Sequence, residues 1–436
     1  MLQTIKLNIK QIFDLAFDSQ NKKKFKLARE LYEKILEIDP NIKNALFNLG
    51  IVYEELGEEK QAIKCYERVI NIDPKFIHSY NNLGLIFRKF GENEKAVNYF
   101  KKTIEINPTY VKAYNNIGMI YGELGRYKEA IDNYIISLKH DKENKIAVSN
   151  LISALTHFLP NISHPIVDAN KDLKKISNNF NIEDLLQKEN LINYFQQVYK
   201  VKNNIENNIK FLDFSESQAY RKNSFDLNCE RHHNVFNKAN LIPKFCFSCF
   251  KIQIEPINVL HLIKLLLIFD NLKLTNNNWR KCMIELRSNI SGIYKGLIYC
   301  SSLDEAENIL ISITPILDKN INYKVNIKRG CSEFYTSFPD FKIINKKHDN
   351  FMEYPKKWEK LELEEHDNEN SKPQKLVSSV SGLSISDVLI INQWLNYANL
   401  IDDKSYNEIG LEFTFSEYIH KKMSHQTKFR KKQFLC

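Results

Sequence analysis

The 436-residue sequence contains no apolar run that reaches the roughly 18 residues a membrane-spanning helix needs. Its most apolar stretch, residues 259–269, is interrupted by His261 and Lys264. The first residues place lysines between apolar side chains and offer no small-residue cleavage site, so no secretory signal is expected. The eight cysteines are therefore expected as thiols or metal ligands in a reducing, cytoplasmic setting rather than as disulfides. The usual catalytic signatures are missing as well: no Walker loop, no G-x-G-x-x-G, no G-x-S-x-G and no H-E-x-x-H. Nothing here argues for catalysis. The charge bias is slight, 62 basic against 53 acidic residues for a net +9, which permits acidic partners without requiring nucleic acid. What the chain does have is 43% hydrophobic and 26% charged residues, which excludes a mostly disordered protein. Its length is too great for one core, so two or three domains are expected.

A repeat dominates the first third. Gly50, Gly84 and Gly118 are 34 residues apart, and so are Gly57, Gly91 and Gly125. Ala28, Ala62, Ala96 and Ala130 keep that period, as do Tyr32, Tyr66, Phe100 and Tyr134, while Pro40, Pro74 and Pro108 close three units. Small residues let two antiparallel helices approach, aromatics fill the gap between pairs, and a proline cannot continue the helix. The pattern resembles the tetratricopeptide repeat family. That resemblance implies an α-solenoid over 9–159: repeats 9–42, 43–76, 77–110 and 111–144, then a capping helix 145–159 ended by Pro160. The first repeat is degenerate, with Ala16 in the glycine position, and the fourth has Lys142 where proline is expected. Terminal repeats are commonly atypical because they cap the stack.

In such a solenoid the first helix of each pair lines the concave side. Asn48, Asn82 and Asn116 recur there, flanked by Asn81 and Asn115. A primary amide donates and accepts together, so it can bridge the N–H and C=O of an extended peptide. The row resembles the asparagine ladder of O-linked N-acetylglucosamine transferases. At about 1 kcal/mol net per hydrogen bond, three bidentate rungs give about 6 kcal/mol before association costs, a tens-of-micromolar binder at best. The carboxylate clamp of chaperone-binding members needs lysine where this chain has Phe47, Asn81 and Asn115, so chaperone-tail capture is not expected. The alternative is that these amides are solvated or satisfy neighbouring helices.

Residues 160–228 are polar, with helical stretches, and read as a helical connector. A cysteine-rich α+β domain follows at 229–341. Alternation marks strands at 250–255, 282–287, 294–301 and 323–328, with helices at 257–272 and from Ser302 to about residue 319, the second kinked or shortened by Pro315. The order βαββαβ is that of ferredoxin-like domains. This plan carries Cys246, Cys249, Cys282, Cys300 and Cys331 to one edge of the sheet. Cys229 and His232, spaced Cys-x2-His, precede the pair Cys246 and Cys249, and paired ligands on tight turns grip tetrahedral zinc. Zinc held by Cys229, His232, Cys246 and Cys249 is the expected site, with Cys331 or His233 able to replace one ligand. An iron–sulfur cluster using Cys331, reduced buried thiols and a redox Cys-x-x-Cys remain open. The segment Arg329, Gly330, Cys331, Ser332 and Glu333 could hold a nucleophile, but no base partner is identifiable in the sequence.

One face of this sheet is expected to carry Lys251, Glu255, Glu285, Arg287, Lys295, Tyr299, Lys324 and Lys328. Only Tyr299 is aromatic, so base stacking is poorly supplied; a basic, phosphate-friendly or docking face is as good a reading, and an RNA-binding ferredoxin-like domain is the second alternative. Residues 342–436 read as a charged linker and a loosely structured helical, basic tail, with a helix at 384–400. The expected function is a scaffold whose solenoid captures extended peptide beside a metal-stabilised domain. The rival is an enzyme whose solenoid recruits substrate for chemistry at the cysteine-rich edge.

Overall fold

The computed structural model describes residues 8–209, 212, 215–223, 227, 229–287, 290, 292–368, 377–424 and 426–435. Residues 369–376 of the expected linker and Cys436 lie outside them. The chain divides into two compact units, one of residues 8–121 and 132–142, the other of residues 122–131 and 143–435.

The first unit is built from α1 (Ile9–Asn21), α2 (Phe25–Ile38), α3 (Lys43–Glu55), α4 (Glu59–Ile72), α5 (Ile77–Lys89), α6 (Asn93–Ile106) and the larger parts of α7 (Val111–Glu123) and α8 (Tyr127–His140). Each recurrent residue has one structural task. A Cβ built on Gly50 would lie 2.5 Å from Tyr66 Cε1, and one on Gly84 2.6 Å from Phe100 Cε1, so only a bare backbone lets the aromatic ring of the second helix close in. Ala28, Ala62 and Ala96 are fully buried, in the clusters of Tyr32, Tyr66 and Phe100 respectively. At the turn ahead of each proline or its successor, Asp39, Asp73 and Asn107 accept the backbone N–H two residues on, at 2.9, 3.1 and 3.1 Å. Such short side-chain links fix the chain reversal before the next helix begins.

The second unit centres on a five-stranded antiparallel sheet: β1 (Gln218–Arg221), β2 (Phe250–Pro256), β3 (Arg280–Ile284), β4 (Tyr294–Cys300) and β5 (Tyr323–Arg329), in the order β1-β3-β4-β2-β5. Helices precede and interrupt it: α9 (Lys145–Ala154), α10 (Pro165–Asn178), α11 (Ile182–Leu185), α12 (Lys188–Asn208), α13 (Cys229–Ala239), α14 (Val259–Asn271) and α15 (Leu303–Asn320). Ser302 caps α15 by accepting from Glu305 N at 3.0 Å. Pro315 sits inside α15 without interrupting it. One sheet face, with Ile252, Ile254, Cys282, Ile284 and Ile298, is buried and packs on α14, and α15 packs on β2, β4 and β5.

Residues 160–228 are not a connector. α10 packs on α12, both pack on α17 (Ile385–Leu400), and β1 pairs with β3. Nor does the fold loosen after Phe341: Met352 and Trp358 pack against the cluster of Ile242, Cys246, Phe334 and Phe341. The Arg329 guanidinium lies 4.4 Å from the Phe351 ring centroid. A short helix, α16 (Glu359–Asn368), follows within the expected linker.

The largest departure is α17. Its apolar stripe was expected at Val388, Ile391, Trp394 and Leu395, but Ile385 through Ala398 are all buried, polar residues included. Those polar groups are satisfied in place. Asn392 Oδ1 accepts from Thr414 N at 2.9 Å and Asn396 Oδ1 from Ser416 N at 2.8 Å. Asp387 takes the two ends of the Arg221 guanidinium at 2.9 and 3.3 Å. A buried polar group that is fully hydrogen-bonded costs little, so α17 can be enclosed on every side. α18 (Glu417–Met423) and α19 (Thr427–Leu435) complete the unit.

Candidate functional site

The asparagines of the repeats separate into two groups. Asn81 and Asn115 are 6% and 5% exposed, enclosed in helix packing, so the expectation that they line a peptide groove is corrected. Asn48, Asn82 and Asn116 are half-buried at the same position of α3, α5 and α7. Each is tethered by its own solenoid. Asn48 hydrogen-bonds Tyr32, and Asn82 Nδ2 donates to Tyr66 Oη at 3.1 Å. Phe100 has no hydroxyl to offer the third rung, and Asn116 Nδ2 instead donates to Asn81 Oδ1 at 3.4 Å. A primary amide has two donors and two acceptor lone pairs, so each tethered amide keeps hydrogen-bonding capacity in a fixed orientation. The sequence period carries one more rung, Asn150, which the pattern of glycines and prolines did not single out. Its Nδ2 is buried and has no partner among the described residues.

In the second unit the expected zinc set is not assembled. Among the described residues, the ligand atoms lying within 4.8 Å of one another are those of His233, Cys331 and Glu333. Cys246 is buried in the cluster of Ile242, Phe334 and Phe341, and burial pushes its thiol well up. Cys249 is buried too, its thiol raised to about 11 by desolvation. The His232 ring stacks on Phe245 at 5.0 Å. Register sets both Cys300 and Arg329 opposite Phe250, so Cys249, Cys300 and Cys331 lie at one end of the sheet as expected, but Cys282 and Cys300 are on its helix-packed face with Ile284 and Ile298, away from Cys331. Of the named residues, the two offered as substitutes, His233 and Cys331, are brought together.

Gly330 places Cys331. It sits at φ +57°, and a Cβ there would lie 2.5 Å from Phe341 Cε1, so the turn after β5 needs glycine on two counts. Gly330 N donates to Cys249 O at 2.7 Å, extending the β2–β5 ladder to the cysteine's doorstep. The Lys251 ammonium is 3.0 Å from Cys331 Sγ and lies over the Tyr299 ring. His233, from α13, hydrogen-bonds the same sulfur. Burial alone would raise this thiol; Lys251 and His233 outweigh it and hold it at about 7. His233 is raised by the same pairing. The imidazole neighbour of Cys331 that the linear reading did not identify is His233, supplied by a helix far upstream. The Cys331 sulfur accepts from the Lys251 ammonium and Glu333 pairs with Arg287, so both groups already face protein cations.

These groups border a cavity of about 400 Å³ over the sheet face that α14 does not cover. Register puts Lys251 opposite Tyr299 on β4 and opposite Lys328 on β5, and Met283 on β3 opposite Lys295. Lys281 joins the same face; it was missed because the strand was expected to open one residue later. Glu285, 1% exposed, takes Lys295 at 3.0 Å and Arg287 at 2.8 Å. Burial opposes its ionisation, yet those two cations hold it at about 2.

Residues 44–76 and 78–110 match a tetratricopeptide repeat family model, and residues 99–132 match a second one. The segment 44–132 is thus a tetratricopeptide repeat segment. No curated protein matches the sequence. Among solved structures, one of the MamA protein is 19% identical, over 47% of this chain and 97% of that one, with a TM-score of 0.33. A structure described as YrrB, a tetratricopeptide protein with an unusual peptide-binding site, is 20% identical over 34% of this chain and 76% of that one, with a TM-score of 0.30. No helix among the described residues is long and apolar enough to cross a membrane.

Proposed function

We propose that the protein is an interaction scaffold whose repeat unit holds an extended segment of a partner protein along Asn48, Asn82 and Asn116. The carrying observation is the periodic tether: in two of three repeats the amide is bonded to the tyrosine of the preceding unit, which fixes its direction while leaving a donor and an acceptor to spare. Preorganised rungs lose less side-chain freedom on binding than mobile ones. Their spacing by whole repeats suits backbone recognition, which tolerates many partner sequences. The second unit is read as a ferredoxin-like domain with an added edge strand; the order β3-β4-β2-β5 and the wholly antiparallel pairing support that reading.

The test is a panel of unstructured 15-residue peptides titrated against the full chain and against Asn48→Ala/Asn82→Ala/Asn116→Ala. The best peptides should bind at tens of micromolar, and the triple variant should lose roughly tenfold or more, since one net hydrogen bond is worth about 1 kcal/mol. Affinities unchanged in the triple variant would refute the proposal.

A further inference from the structure

We propose that the open face of the second unit's sheet is a binding pocket for a small molecule carrying a compact dianion, a phosphate or paired carboxylates, with Cys331 at its wall. Charge balance in a partly enclosed cleft carries the proposal. Lys295 and Arg287 are matched by Glu285 and Glu333. Lys251 is matched by the Cys331 sulfur. Lys281 and Lys328 are left with neutral acceptors, Gln218 Oε1 and Ser332 Oγ, each at 3.0 Å. Neither forms an ion pair among the described residues. Both are partly buried, and Lys328 stands directly across the ladder from Lys251, an arrangement of like charges that destabilises a sheet. An anion beside Lys328 would relieve that repulsion, and Lys281, three strands away on β3, lines the same cavity. The cavity, about 400 Å³, falls within the range of small-molecule sites. Segments from outside the sheet wall it in, with Ser217 on one side, Cys229 and His233 on another and Tyr418 on a third. This partial cover separates the face from a fully solvated one, because attraction between charges strengthens as water is displaced.

Cys331 reports on the pocket. Alkylation forms an S–C bond and releases iodide, and it can be followed with anionic iodoacetate and with neutral iodoacetamide, mapping the modified residue by mass spectrometry. The rate ratio of iodoacetate to iodoacetamide at Cys331 of the full chain should exceed that of a cysteine in a short unstructured peptide by about tenfold, the effect of 1.4 kcal/mol of electrostatic attraction. Lys281→Gln/Lys328→Gln should bring the ratio down severalfold, and Lys281→Arg/Lys328→Arg should restore it, which separates lost charge from lost fold. Millimolar inorganic phosphate or succinate should protect Cys331; the stronger protector identifies the phosphoryl or the dicarboxylate class. A peptide-like ratio with no protection by either anion would overturn the proposal. So would protection by stoichiometric zinc alone, which would return Cys331, His233 and Glu333 to a metal site. None of these readouts depends on the repeat unit, so failure here leaves the peptide-binding proposal standing.

Discussion

Replacing Gly84 with alanine tests whether the 34-residue period encodes close packing. The new Cβ would lie 2.6 Å from Phe100 Cε1 and 2.7 Å from Cζ. Carbon atoms rest at about 3.5–4.0 Å, so the ring must retreat by roughly an ångström. It has nowhere to go, being fully buried against Ala96, Ala113 and Ile117. Overpacking of this kind costs about 1–3 kcal/mol. Alanine returns up to about 1 kcal/mol of helix propensity, which leaves a net loss of about 0–2 kcal/mol. Shortening the ring with Phe100→Leu costs on the order of 1–2 kcal/mol alone, yet in the double variant the new methyl fills the vacated space. The pair should therefore be less destabilising than the sum by about 1 kcal/mol or more. Hydrogen exchange of peptides from α5 and α6 in the full chain, read by mass spectrometry, measures this locally. Gly57→Ala is the control: with φ at +75° and nothing within 4 Å, it should cost about 1 kcal/mol through backbone strain alone, with no rescue from Tyr66→Leu. Strictly additive effects in the double variant would refute the packing argument.

His157 makes the second unit acid-sensitive. It stacks on Tyr127 at 4.5 Å, with Nδ1 2.9 Å from Val377 O, and burial, helped by repulsion from Lys222, lowers it to about 4. An unfolded histidine near 6.5 takes up the proton first, so the stabilisation is whole above pH 6.5 and drains away as pH falls toward 4, by on the order of 3 kcal/mol. Urea midpoints at pH 7 and 5 should differ more in the parent than in His157→Gln; equal differences would refute the assignment. Arg221→Met leaves Asp270 and Asp387 buried without their shared guanidinium and should cost about 3–5 kcal/mol, read as a fall in the urea midpoint. Arg221→Met/Asp387→Leu should recover part of that loss, and a double variant worse than the single would count against the charge explanation.

The repeats were legible because each helix pair repeats one packing problem with one solution, so glycine, alanine and aromatic fall in register and announce one another. Strand alternation was equally readable over 250–255 and 323–328, where one face meets helices and the other does not. What alternation does not report is whether a polar residue faces water or a partner. Asn392, Gln393 and Asn396 read as the wet side of an amphipathic helix, yet Thr414 and Ser416 arrive from later in the chain to satisfy them. The same blindness applies to the asparagines of the repeats. Asn81 and Asn82 are adjacent and identical in type, and only the helical turn puts one into the packing and leaves the other at the surface.

The thiol cluster shows where linear spacing misleads. Cys-x2-His followed by Cys-x2-Cys is a ligand pattern only if both pairs end up at one point. Here a short 3-10 turn at Lys244–Phe247 sends Cys246 into an aromatic core, and His232 stacks on Phe245. The next residue along α13, His233, faces the sulfur of Cys331, which arrives at the end of β5. A change of one position on a helix rotates a side chain by about 100°, enough to exchange one histidine for its neighbour. Alternation places lysines 251 and 328 on one face without Lys281, and it cannot tell a wet face from a pocket floor, because period two is identical for both. The difference lies in what covers them. The cover comes from residues near 217, 233 and 418, three segments that no local pattern connects, and the charge imbalance becomes visible only after they close over the sheet.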